Sequence, residues 1–221
     1  MPNNHYHHLM FGPSTIERQT ATGSYTAYGS QTERADDGPM PLDTREKLII
    51  READQFHIAS VAESGWPYIQ YRSGPQGFLQ VLDDSTLGFA DFAGNNQYVT
   101  TSNIDHDGRV ALFLVNYPLR QRLKLYGRAR VIEADADPEL LARLKDLGTR
   151  TVAAKSDRSI VIDVEAFDWN CSRSIIPRYD KAYLSELSKV YQRKAAEREA
   201  ELLQRIADLK EQLAQSKRTT G

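Results

Sequence analysis

Arg122-Leu-Lys-Leu-Tyr-Gly-Arg-Ala-Arg-Val-Ile132 alternates polar and apolar residues over its whole length. Successive side chains of an extended strand point to opposite faces, so this run predicts a long strand with one face buried. Upstream, Val110-Ala-Leu-Phe-Leu-Val115 is a strongly apolar strand candidate. Phe56–Val61 and Pro67–Arg72 flank the turn residues Glu63-Ser-Gly-Trp66, and Gly77–Leu82 and Thr86–Ala90 flank Asp83-Asp-Ser85. Ser159–Val164 is the last clear strand. Many short strands between turn signals, with few helices among them, argue for a barrel or sandwich. They argue against a doubly wound α/β fold, which needs repeated crossover helices.

Helical periodicity marks three other stretches. Arg45–Asp54 follows Thr44, which resembles a helix cap, but Lys47 stands where a capping box from Thr44 needs Glu. Pro138–Leu147 carries Leu140, Leu141, Leu144 and Leu147 as a stripe. Ala182–Ala214 is almost free of Gly and Pro, and Leu202, Ile206, Leu209 and Leu213 recur at intervals of four, three and four. That spacing predicts a long amphipathic helix, suited to pairing with a second copy or to covering its own barrel. Residues 1–41 are expected to form an irregular arm with one short helix near Ile16, and His5, His7 and His8 are expected to lie in an exposed, mobile terminus.

The chain has 221 residues, a formal net charge of −2 and a pI near 6.2. One sizeable core with appendages fits that length. Nothing in the charge balance points to nucleic acid. No run of about eighteen apolar residues predicts a membrane span, and the polar start lacks the pattern of a secretory signal, so a cytoplasmic location is expected. The single cysteine, Cys171, forbids an intrachain disulfide. His57 and His106 show no local ligand spacing, so no metal site is expected, and Asp105-His-Asp107 is expected to be a polar turn. No nucleophile elbow, Walker loop or dinucleotide fingerprint is present.

Several segments place cations beside amides, small residues and aromatics. Arg72, Arg122, Lys124, Arg173 and Arg178 offer charge-assisted hydrogen bonds to a phosphate. Gln70, Asn95, Asn96 and Gln97 both donate and accept, which suits the edge of a planar heterocycle. Gly94 permits close backbone approach, and Tyr71, Tyr98 and Trp169 can border a ring. Each residue is equally compatible with an ordinary barrel rim.

The order of these segments resembles the pyridoxamine 5'-phosphate oxidase-like flavoproteins, in particular a bacterial branch with an N-terminal extension. The resemblance rests on Gly65-Trp-Pro-Tyr68, Gly74-Pro-Gln-Gly-Phe78, Gly94-Asn-Asn-Gln-Tyr98, Arg122–Ala129, Trp169-Asn-Cys171 and Ile176-Pro-Arg178. It covers approximately residues 42–180 and implies a mainly β fold. That fold is a six-stranded split barrel with flanking short helices, here followed by a long helix over 181–215 and a tail over 216–221. It further implies a homodimer with FMN at the subunit interface. Gln70, Tyr71 and Arg72 would line the flavin, and Asn95, Asn96, Gln97, Tyr98 and Lys124 would approach its phosphate side. The segment from Cys171 through Arg173 to Arg178 would close the pocket, from either chain, and Trp169 would border the ring. Asn96 departs from the family, which commonly carries a basic residue there.

The implied activity is FMN-dependent oxidoreduction of a small molecule, with a nicotinamide as a candidate electron donor. The alternatives are a flavin-binding module without turnover and pyridoxamine 5'-phosphate oxidation itself. The latter is disfavoured because the C-terminal substrate segment of the dedicated oxidases is replaced by the charged helix.

Overall fold

The computed structural model describes residues 3–170 and 173–219, with side chains to residue 215 in the last helix. Its elements run α1 (His5–Met10), α2 (Pro13–Thr22), a 3-10 turn (Gly29–Glu33), α3 (Thr44–Glu52), β1 (Gln55–Val61), β2 (Pro67–Ser73), β3 (Gln80–Val81), β4 (Thr86–Phe92), α4 (Val99–His106), β5 (Arg109–Asn116), β6 (Gln121–Glu133), α5 (Pro138–Lys145), β7 (Ser156–Trp169) and α6 (Lys181–Thr219). Two compact units divide the chain, Met1–Ile176 and Pro177–Gly221.

The strands form one antiparallel sheet in the order β2-β1-β5-β6-β7-β4-β3. Six strands are long and β3 has two residues, the arrangement of a split barrel. The alternation at 122–132 becomes β6, which pairs with β5 on one side and β7 on the other. Its inward residues Leu123 and Leu125 join Phe56, Ile58, Leu112, Leu114, Ile160 and Ile162 in the core, all 1% exposed or less. Each such side chain contributes about 1.5–3 kcal/mol by leaving water. The β6–β7 register shifts at Tyr126/Gly127. A Cβ on Gly127 would meet the Asp163 carbonyl oxygen at 2.4 Å, so the bulge requires glycine.

Expectation and structure part at several elements. The stretch Gly77–Leu82 supplies only β3, because Gly77 adopts φ 86° and the Phe78 N–H donates to the Pro75 carbonyl in a turn. Phe78 and Leu79 are buried as packing residues instead. The α3 cap is Asp43 rather than Thr44, and its capping box is complete with Glu46 at the third helical position. Residues 99–106 form α4, so Asp105 and His106 end a helix and only Asp107 lies beyond it. Helix α5 is capped at one end by Asp137, and at the other the Gln80 side-chain amide reaches the carbonyls of Arg143, Leu144 and Asp146.

The arm is built, not loose. Asn4 is fully buried, and its side-chain amide donates to the carbonyls of Gln31 and Ala35. His5 is 8% exposed, with Nδ1 2.7 Å from Asp36 and Nε2 3.4 Å from Glu165 on β7. Tyr6 packs on Tyr126 with ring centroids 5.8 Å apart. The histidines thus belong to a packed contact between α1 and the sheet, because Asn4 ties the start of the chain to the loop before α3.

Helix α6, in the second unit, has 39 residues. Asp180 caps it by accepting from the Tyr183 N–H at 2.7 Å, and Tyr179 stacks on Tyr183. Two groups of its exposed apolar residues are Leu184/Leu187/Tyr191 and Leu202/Ile206/Leu209/Leu213, with Tyr183, Val190 and Leu203 exposed beside them. Tyr191 and Leu202 are eleven residues apart, which at about 100° per residue places both groups on nearly one face.

Candidate functional site

The inner face of β2 opens into a cavity of ≈ 220 Å³. Register with β1 fixes that face: Tyr68, Gln70 and Arg72 stand opposite Ser60, Ile58 and Phe56, all buried. Asp91 and Phe92 of β4, the loop from Ala93 to Tyr98, the first turn of α4 and Asp157 and Arg158 of β7 complete the lining.

The loop is conformationally unusual. Asn96 and Tyr98 both adopt left-handed backbone, with φ 59° and 57°. That conformation costs about 1–3 kcal/mol for a residue with a Cβ and is typical of ligand-gripping segments. The Asn95 side-chain oxygen accepts from the Gln97 N–H at 3.2 Å. Tyr98 begins α4 without a side-chain cap, so first-turn N–H groups beside Thr100 and Thr101 remain open to the cavity. A Cβ on Gly94 would meet nothing within 4 Å, so backbone approach there is unobstructed.

Charges on the wall are arranged in a chain. Arg72 Nη1 donates to Asp91 Oδ1 at 2.7 Å, and Arg158 Nη1 lies 3.5 Å from Asp91 Oδ2. Asp91 and Arg158 are direct partners in the β4–β7 register. Arg158 is also held by Glu133 through Nε and sits over the Tyr98 ring at 5.1 Å. Burial, the largest single influence, pulls the Arg158 pKa down, but Glu133, Asp91 and the Tyr98 hydroxyl together more than offset it and the net shift is upward. Arg72 Nε is buried without a hydrogen-bond partner. A donor left unmatched at the edge of a polar cavity is suited to an incoming acceptor.

Of the residues singled out in the sequence, Gln70, Arg72, Asn95, Asn96, Gln97 and Tyr98 therefore meet in one cavity. Tyr71 and Lys124 lie on the other face of the sheet. Cross-strand pairing sets Tyr71, His57, Phe113, Lys124 and Asp168 in one row. Lys124 Nζ pairs with Asp168 at 2.8 Å and contacts the Tyr6 hydroxyl at 3.2 Å. Burial lowers the Lys124 pKa, but these two partners raise it further, leaving a net upward shift. Arg122 shares that outer face two residues before Lys124. Trp169 points inward beside Leu123, donates from Nε1 to Glu46 at 2.5 Å and carries the Arg45 guanidinium 3.8 Å above its ring. Arg173 is exposed, with its carbonyl accepting from Arg120. Arg178 belongs to the second unit, and Cys171 lies outside the described residues.

Asp91 and Arg158 were not singled out. Each is a single charged residue in an apolar strand, and they are brought together only by the pairing of β4 with β7. Among the described residues no group of three metal-ligating side chains occurs, and no helix is long and apolar enough to cross a membrane.

An antiparallel split barrel whose strand ends, loop and helix N-terminus converge on a polar cavity defines the class of the fold, the split β-barrels. Residues 42–170 match the family model described as pyridoxamine 5'-phosphate oxidase, and the chain belongs to that family. No curated protein matches the sequence. Among solved structures, the chain resembles HupZ of Group A Streptococcus, with 19% identity over 62% of this chain and 99% of that one, at a TM-score of 0.47. It also resembles an FMN-binding protein from Syntrophomonas wolfei, with 12% identity over 70% and 97% and a TM-score of 0.46. An F420 reductase is 20% identical over 55% and 94%, with a TM-score of 0.39.

Proposed function

We propose that this chain binds FMN and acts as a flavin-dependent oxidoreductase on a small molecule, as a homodimer. The observation that carries the reading is the meeting of Gln70, Arg72 and the Asn95–Tyr98 loop around one polar cavity, with Arg72 Nε left without a partner inside the protein. These groups fit the cofactor. The open N–H groups of α4 would donate to a phosphate, beside Arg158, whose charge is shared with Asp91 and Glu133. Gln70 and Asn95 would meet a ring edge, and Tyr98 would border it. When bound, FMN supplies hydride transfer through its N5. The protein's part is to orient the ring, keep its phosphate neutralised and shape the substrate side.

The cavity of ≈ 220 Å³ is below the range of about 300–1,000 Å³ usual for whole-ligand pockets. A second chain supplies the remaining wall in this reading. The outer sheet face suits that contact: Ile69 and Tyr71 are 65% and 50% exposed on edge strand β2. Tyr71, Arg122 and Lys124 would then serve the partner's cavity.

The test is purification without added cofactor, followed by visible absorbance and mass identification of any released molecule. A flavin spectrum with one FMN per chain supports the reading, and bleaching by a nicotinamide donor supports reductase activity. Bound FMN that no donor or substrate reduces would indicate a flavin-binding module. A colourless protein that also rejects added FMN would remove the cofactor from the account.

A further inference from the structure

We infer that Tyr68 is a positioning residue that locks the Gln70 side chain as a hydrogen-bond donor toward the cavity; this rests on the flavin reading above. Tyr68 and Gln70 are two apart on β2, so both face inward, and both line the cavity. The Tyr68 hydroxyl donates to Gln70 Oε1 at 2.5 Å. An amide can in principle turn and offer nitrogen instead. The Tyr68 hydroxyl holds it with Oε1 turned toward the phenolic oxygen. With Oε1 engaged, the Nε2 hydrogens are what Gln70 has to present.

The next residue on this face reinforces the pattern. Arg72 carries only donors, and its Nε is buried and unmatched. The β2 wall is therefore donor-only at two successive inward positions. A wall of that kind selects acceptor atoms of a planar ligand and rejects a ring N–H at the same place. On a flavin the acceptors are the two carbonyl oxygens and the unprotonated ring nitrogens. The pyrimidine part gains negative charge when the ring is reduced, so a fixed donor there binds the reduced form more strongly than the oxidised form. Tyr68 controls this selectivity through the orientation it imposes on Gln70.

The full-length protein tests this with Tyr68→Phe and, independently, Gln70→Glu, using FMN as the probe. Affinity is read for oxidised and reduced FMN by fluorescence and by midpoint potential. In parallel, the Gln70 side-chain amide is followed in the ¹⁵N spectrum of the FMN-free protein. Tyr68→Phe should weaken reduced FMN about fivefold and oxidised FMN by less, the size expected for one hydrogen bond. It should also shift the Gln70 amide signals. Gln70→Glu should lower the reduced-over-oxidised preference at least as much. Unchanged affinity ratios in both variants, with wild-type protein that binds FMN, would overturn the inference and leave the flavin reading intact. If wild-type protein binds no FMN, the flavin reading fails. The amide spectrum then decides alone, since a Gln70 signal indifferent to Tyr68→Phe overturns the lock.

Discussion

Asp91 is the residue on which the cavity wall turns. It is 8% exposed and holds Arg72 at 2.7 Å and Arg158 at 3.5 Å. Arg72→Ala leaves it with the longer contact alone, and should cost about 1.5–3 kcal/mol of stability. Thermal unfolding checks that, and FMN retention on a desalting column should fall in the same variant. Glu46 is a second such point, closing the α3 capping box while accepting from Trp169. Glu46→Ala removes both contacts and should cost at least the ~0.5–2 kcal/mol of a lost cap, whereas Glu46→Gln keeps an acceptor for one of the two donors and should cost less than Glu46→Ala. Denaturant midpoints of the two variants separate these outcomes. The partnership of Asp91 with Arg158 was not legible in the sequence, since 67 positions separate them and no local pattern marks strands as neighbours. The amide-rich turn Asn95–Gln97 was legible, because its polarity between apolar strands is a local signal.

At the level of the element, strand β6 follows directly from side-chain alternation, since one buried face imposes a period of two, and β5 from its unbroken apolar run. Helix α4 gave no such signal. Val99-Thr-Thr-Ser-Asn-Ile-Asp-His106 is rich in poor helix formers, and it is held by burial of Thr100 and Thr101 and by Asn103 donating to Ser60 at 2.9 Å. Tertiary contacts override propensity there. The cap of α3 was misplaced by one residue because Asp43 and Thr44 are both capping types, and only the partner three positions on tells them apart. The β6 bulge makes a sharp prediction: Gly127→Ala should destabilise the barrel by about 1–3 kcal/mol, measured by chemical unfolding, since backbone blocks the added methyl. Helix α1 makes another. Burial, the largest influence, holds the His7 pKa below its ordinary value, against weaker upward pulls from its Asn4 hydrogen bond and Asp168. The unfolded arm therefore takes up a proton more readily, so docking of α1 weakens as pH falls through about 6.5. Limited proteolysis should cut the arm faster at pH 5.5 than at pH 7.5, and His7→Gln should reduce that difference.

For the whole molecule, the division after Ile176 predicts that the first unit folds without the helix. A chain ending at 176 should keep a cooperative unfolding transition in calorimetry. The separated segment 177–221 presents its apolar groups on one face with nothing of its own to cover them. An isolated helix of this kind should show circular-dichroism helicity that rises with peptide concentration.

The pairing of β4 with β7 also has a consequence for how the protein is born. Residues 86–92 wait for partners at 156–163, so no intermediate length of nascent chain can close the barrel. Contacts between distant segments form slowly, and the unpaired edge of β4 stays open to wrong neighbours meanwhile. Because α6 lies wholly after the last barrel strand, its synthesis prolongs the time in which β7 can find β4 before the finished chain is released. Chains arrested before residue 156 should accordingly depend on chaperones, and those arrested within α6 should not.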